Sequence, residues 1–125
     1  MAFFNLTNHP FATWSAAQQQ AAVALGHGAL VELPQGVPLV DPLLDASAVV
    51  QQAETLAAQV VAAGAKGAAV MGDFSFSFAL VQALKARGVR CYATTSERKV
   101  QEHIAANGET IKSAVFRFVR FREYL

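Results

Sequence analysis

Four short apolar runs, Ala2–Leu6, Ala29–Leu33, Gly67–Met71 and Val89–Ala93, alternate along the chain with alanine-rich segments of helical periodicity. Short buried strands alternating with helices are the signature of a parallel sheet covered by helices, and right-handed crossovers give the order 2-1-3-4. The expected fold class is therefore α/β, a Rossmann-like sheet flanked by helices.

The helices are marked at their ends. Thr13–Leu25 has Ser15 and Gln18 at capping-box spacing and stops at Gly26 and Gly28; Asp45 or Ser47 caps a helix through Ala63, closed by Gly64. Val49, Val50, Ala53, Leu56, Ala57, Val60 and Val61 form its apolar stripe. A third helix starts at Ser75 or Ser77 and runs through Arg87 to Gly88. Pro34–Asp45, with three prolines and a glycine, reads as an extended crossing loop. Beyond Thr95 the pattern changes: Arg98–Ile104 and Ile111–Phe121 resemble strands joined by Asn107-Gly108, a strong hairpin signal, although Val100–Ala106 also suits a short helix.

At 125 residues and 54% hydrophobic content the chain buries one core, so residues 1–125 form a single domain. Only 15% of residues are charged, which points to apolar surface covered by a second subunit or a ligand. A homo-oligomer is expected. The lone Cys91 fits a reducing compartment, and neither a signal peptide nor an apolar run of about 18 residues is visible, so a cytoplasmic protein without a membrane partner is expected. Nine of ten Lys and Arg residues lie from Lys85 onward, making the last third basic; a face for an anion and a solvated strand face both account for this.

Ligands of open parallel sheets bind at the carboxyl ends of the strands, which makes three polar exits candidates. The first is Thr7-Asn8-His9-Pro10, with His9 the group able to act as a general acid or base. The second, Gly72-Asp73-Phe74-Ser75-Phe76-Ser77, sets a glycine before a helix start, where free amides favour an anion. The third, Thr94-Thr95-Ser96-Glu97-Arg98, sets hydroxyls beside a guanidinium able to grip a phosphate. Each has a plainer alternative: an Asx turn at Asn8 with a surface His9, ordinary capping by Ser75 or Ser77, and a Glu97–Arg98 surface pair. Phe74, Phe76 and Phe78 alternate as an extended entry would, with at least one in the core.

No metal-ligand spacing links His9, His27, His103 and Cys91, and His27 between two glycines reads as turn chemistry; no metal or cofactor is expected. The second exit is no Walker loop, and G-x-G-x-x-G, G-x-S-x-G and a catalytic carboxylate pair are missing, which removes support for dehydrogenase and serine-hydrolase readings. The tail from Val115 to Leu125 interleaves arginines with aromatics, as a nucleic-acid surface or an amphipathic packed strand does; direct DNA binding is not the expectation.

Taken together, Asn5–Pro10, Trp14, Gly72–Val81, Thr95–Arg98 and Phe116–Tyr124 resemble small CRISPR-associated proteins of type III systems, related to ring nucleases and to CRISPR-associated Rossmann-fold sensor domains of antiviral defence. The resemblance implies an oligomer that binds cyclic oligoadenylate, commonly cyclic tetra-adenylate, at the strand ends, in a dimer or a ligand-bridged assembly. Relatives of that kind either hold the ring, lowering the free signal, or cleave it without metal. Cleavage would ask Thr7, Asn8, His9, Ser96 and Arg98 to orient a ribose hydroxyl and stabilise charge, and no lysine or arginine accompanies His9 in its loop. The expectation is a binder, with a slow ring nuclease and a self-assembling scaffold without nucleotide as alternatives.

Overall fold

The computed structural model describes residues 1–125. Its elements are β1 (Ala2–Thr7), a 3-10 turn (Phe11–Thr13), α1 (Ala16–Ala24), β2 (Ala29–Glu32), α2 (Ala46–Ala62), β3 (Ala65–Met71), α3 (Phe74–Ala86), β4 (Arg90–Ile104) and β5 (Thr110–Glu123). They build a mixed α/β structure around one five-stranded sheet of order β2-β1-β3-β4-β5. The first four strands are parallel, in the order the crossovers predict, and β5 runs antiparallel to β4.

Strand alternation divides the core between the two faces. Phe4, Leu6, Ala68, Val70 and Cys91 point toward α2 and α3, joining Val49, Leu56, Val60, Leu80 and Leu84. Phe3, Ala69, Tyr92 and Phe121 point the other way, onto Trp14 and Ala22 of the α1 side. β1 is buried along its whole length, as a central parallel strand covered on both faces must be.

Local caps follow the expected chemistry with one shift. Ser15 accepts from the Gln18 amide at 3.1 Å and Asp45 from the Ala48 amide at 2.9 Å. At α3 the cap is Asp73, not Ser75 or Ser77, and it accepts from the Phe76 amide at 2.9 Å. The phenylalanines at its start are therefore helical, not extended. Phe76 is buried, while Phe74 and Phe78, one turn apart, stay 93% and 67% exposed.

The largest departure concerns the third polar exit. No loop follows Ala93: β4 continues through Thr94, Thr95, Ser96 and Arg98 to Ile104 in one ladder with β5, broken by a bulge between Thr95 and Ser96. Pairing with β5 outweighs the turn preference of the hydroxyl-rich segment. A short helix at Val100–Ala106 does not form. The hairpin closes at Asn107-Gly108, where Gly108 has φ 83° and the Asn107 side chain accepts from the Glu109 amide.

His27 is likewise more than turn chemistry. Its ring stacks on Phe3 with centroids 6.4 Å apart, and its Nε2 lies 2.7 Å from the Tyr92 hydroxyl. Gly67 leaves the room, because a Cβ there would sit 2.6 Å from the imidazole. Burial holds the His27 pKa below its ordinary value of 6.5, nearby Arg90 acts in the same direction, and Glu123 opposes them. A depressed pKa means that the unfolded chain binds the proton more readily, so this contribution is present above pH 6.5 and lost as pH falls through that value. The thermal midpoint is expected to fall between pH 7 and pH 5, and to fall less in His27→Gln. Coincident profiles for the two proteins would rule His27 out as the cause.

Burial pushes the Cys91 thiol up to about 12, leaving a packed and unreactive cysteine. No helix is long and apolar enough to cross a membrane.

Candidate functional site

The order 2-1-3 makes the chain leave β1 toward one side of the sheet and return on the other, which opens a crevice between the carboxyl ends of β1 and β3. A polar network sits there. Asn5, 3% exposed, and Thr7 are the two buried polar residues of the chain. The Asn5 carbonyl oxygen accepts from the Thr7 amide at 3.0 Å and from the Thr7 hydroxyl at 2.6 Å. Its amide donates to the His9 carbonyl at 2.8 Å and to a Glu32 carboxylate oxygen at 3.0 Å.

The His9 carbonyl is the centre of the loop, since it also accepts from Thr7 Oγ1 at 3.1 Å and from Trp14 Nε1 at 3.0 Å. Glu32, at the end of β2, accepts in addition from the Phe11 amide at 2.7 Å. Every buried hydrogen-bonding atom of Asn5 has a partner, so the loop holds one shape. What the network leaves exposed are the side chains of Asn8 and His9, neither of which makes a hydrogen bond.

Across the crevice stand Gly72 and Asp73. Gly72 has φ 153°, and a Cβ there would lie 4.0 Å from the Ser77 hydroxyl oxygen, at ordinary contact distance. Hydrogen bonds from the Phe76 amide and then the Ser75 hydroxyl hold the Asp73 carboxyl below the usual carboxylate range. An ionised carboxylate therefore already caps the amino end of α3, which corrects the expectation of a free anion cradle at Gly72, Asp73, Ser75 and Ser77. Both carboxylates at this edge favour a hydrogen-bond donor over a phosphate.

Two small clefts meet here: about 170 Å³ between Asn8, Val40, Met71, Asp73 and Ser77, and about 300 Å³ between Asn5, Asn8, Glu32, Gly36 and Leu39. The Pro34–Asp45 segment supplies their apolar wall through Val37, Leu39 and Val40. Glu32, Val37 and Leu39 are the residues that sequence reasoning missed. The unusual length of that proline-rich segment, directly following the end of β2, was the available signal.

The structure thus brings Thr7, Asn8, Gly72, Asp73 and Ser77 to one crevice, while the exposed His9 follows in the same loop and lines neither cleft. Thr94 joins its margin, its hydroxyl 2.7 Å from Met71 Sδ. Phe74 and Ser75 face outward on the first turn of α3. Thr95, Ser96 and Arg98 do not line the crevice. They climb the β4–β5 hairpin, opposite Arg120, Phe118 and Phe116 respectively. Because β4 is parallel to β1 and β3, that ribbon rises beyond the same carboxyl edge. At about 3.3 Å per residue, Arg98 lies about 13 Å up the ribbon from Thr94.

No group of three His, Cys, Asp or Glu side chains gathers anywhere in the chain. Comparison with curated proteins and with solved structures gives no match. The profile described as the uncharacterized protein MJ1673 family matches residues 1–122. That span is nearly the whole chain, and the protein belongs to the MJ1673 family.

Proposed function

We propose that this protein is a Rossmann-like binder of cyclic oligoadenylate, cyclic tetra-adenylate foremost, that holds the ring at the carboxyl ends of β1 and β3 and lowers the free signal in a type III CRISPR response. The observation that carries the reading is the satisfied network of Asn5, Thr7, the His9 carbonyl and Glu32, which fixes a loop while presenting the unpaired Asn8 amide to a crevice at the topological switch point. Its chemistry suits the base portions of such a ring: the adenine amine donates to Asp73, whose second carboxylate oxygen is free, or to the Asn8 carbonyl oxygen. The phosphates extend toward Arg98 on the neighbouring ribbon, away from the two carboxylates.

Holding without cleaving is favoured because His9, the one proton-transfer group of the loop besides carboxylates, lines neither cleft, and no partner orients its ring. Two copies of so small a site grip a ring of repeated units better than one, which supports a dimer or a ligand-bridged assembly.

Isothermal calorimetry with cyclic tetra-adenylate tests the reading. Binding at micromolar ligand or below is expected, with Arg98→Ala weakening it by about 1.5 to 3 kcal/mol, the worth of a charged hydrogen bond. An absence of heat at 100-fold excess over the protein would remove the ligand and leave the scaffold reading; linear product in single turnover would establish a nuclease.

A further inference from the structure

Between α3 and the edge of the sheet lies the largest cleft of the molecule, about 790 Å³. It opens because no helix covers β5 on the α3 side. Phe121 packs on the opposite face against Trp14, and Tyr124, just past the end of the strand, is the residue that reaches the larger core. Ala93, paired with Arg122, is too small to fill the floor. Along the helical wall Phe74, Phe78, Val81 and Lys85 follow at i, i+4, i+7 and i+11, one stripe of α3. Burial in the core accounts for Val81 and leaves the rings of Phe74 and Phe78 exposed to solvent beside the cleft.

The other wall is basic. Strand alternation puts Arg122 and Arg120 on the side of the sheet where Tyr124 lies, about 6.6 Å apart at 3.3 Å per residue, close to the step between successive phosphates of an extended single strand. Lys85, Arg120 and Arg122 make no ion pair. Glu123, the one acidic side chain lining the cleft, is held by Arg90 at 2.7 Å, and Glu97, higher on the ribbon, lies 3.5 Å from Lys99. The arginine–aromatic tail therefore divides by face: Phe118 and Phe121 pack against the Trp14 side, while Arg120 and Arg122 stand free on the α3 side.

We infer that this cleft, with the β5 row above it, binds single-stranded nucleic acid, bases stacking on Phe74 and Phe78 and phosphates lying against Lys85, Arg120 and Arg122. Exposed rings one helical turn apart beside three unpaired cations supply both things a single strand offers to be gripped, a π-face on each base and a charge on each phosphate. An acidic peptide would use the cations and leave both rings in water. A duplex keeps its bases stacked within itself and has no face for the rings. The site shares no residue with the Asn5–Glu32 network, and Arg98, paired with Phe116, lies on the Trp14 side of the ribbon, so the inference stands apart from the oligoadenylate reading.

The experiment is fluorescence anisotropy of labelled oligothymidylate and oligouridylate, about ten nucleotides long, titrated with the full-length protein in the absence of cyclic nucleotide. Both are expected to bind in the micromolar range at roughly 50 mM salt, and log affinity to fall against log salt with a slope of about −2, the product of three phosphates and about −0.7 each. Phe78→Ala should weaken binding about 10-fold with the slope unchanged, as loss of one stacked base does. Arg122→Ala should weaken it and reduce the slope by about 0.7. Lys66→Ala, which removes an exposed charge elsewhere, should leave both unchanged. Phe78, Arg122 and Lys66 are all exposed, so folding is expected to be retained, and circular dichroism verifies it. No saturable binding at the lower salt, affinity indifferent to Phe78→Ala, an equal loss in Lys66→Ala, or displacement by polyglutamate as readily as by unlabelled oligonucleotide would each overturn the proposal.

Discussion

Phe3→Ala is expected to cost about 3 to 5 kcal/mol in equilibrium urea unfolding, a third or more of the roughly 5 to 15 kcal/mol that holds a domain of this size together. Phe3 is 0% exposed on a strand buried on both faces. It is also where the smaller core converges: its ring lies 5.8 Å from Phe121, edge-on, 6.2 Å from Tyr92 and 6.4 Å from His27. Removing it leaves a cavity ringed by aromatic groups too large and too well anchored to collapse into it, because Tyr92 is tied to His27 and Trp14 to the His9 carbonyl. A cost near 1 kcal/mol would mean that the α1 face of the sheet is loosely packed.

Asn5→Ala is the second large effect, and it joins stability to function. The substitution deprives the Thr7 amide and hydroxyl of their acceptor and the His9 carbonyl and Glu32 of a donor. Groups left unsatisfied in a buried setting cost about 1 to 3 kcal/mol each, and the adjacent loop relaxes to recover part of this, so a total of about 2 to 4 kcal/mol is expected. The Asn8–Pro10 turn loses its fixed shape with it. Affinity for cyclic tetra-adenylate, measured where the variant is still folded, should drop at least 10-fold. Destabilisation with unchanged affinity would move the ligand away from this loop.

The sequence carried the part of this architecture that depends on local periodicity. Apolar runs and crossover handedness suffice for the β2-β1-β3-β4 order, Asn107-Gly108 for the hairpin, and Ser15 and Asp45 for two helix starts. Long-range pairing accounts for what it concealed. Thr94–Arg98 has the composition of a turn, yet the ladder with β5 draws it into a strand and carries Arg98 away from Asn8. Asp73 outcompetes Ser75 and Ser77 as the α3 cap because it stands one residue before the first helical position. Glu32 has no local mark of importance; its role comes from meeting Asn5, 27 residues earlier, across two adjacent strands. His27 gains its packing only because Gly67, on β3, offers no side chain to exclude it.

These corrections reshape the candidate site without moving it. Of the three polar exits, the first two form a crevice in which carboxylates and amides predominate, and the third contributes Thr94 at its margin and a basic ribbon above it. A ligand that unites hydrogen-bond donors with phosphates suits that pairing better than a free anion does.

Amide chemical-shift mapping during titration with cyclic tetra-adenylate tests the central claim most directly. Saturable shifts are expected at Thr7 to His9, Gly72, Asp73 and Ser77, with smaller ones at Thr94 and Arg98, and none around His27 and Arg90 at the opposite end of the strands. Saturating ligand that leaves the Thr7–His9 and Gly72–Ser77 amides unmoved would contradict it.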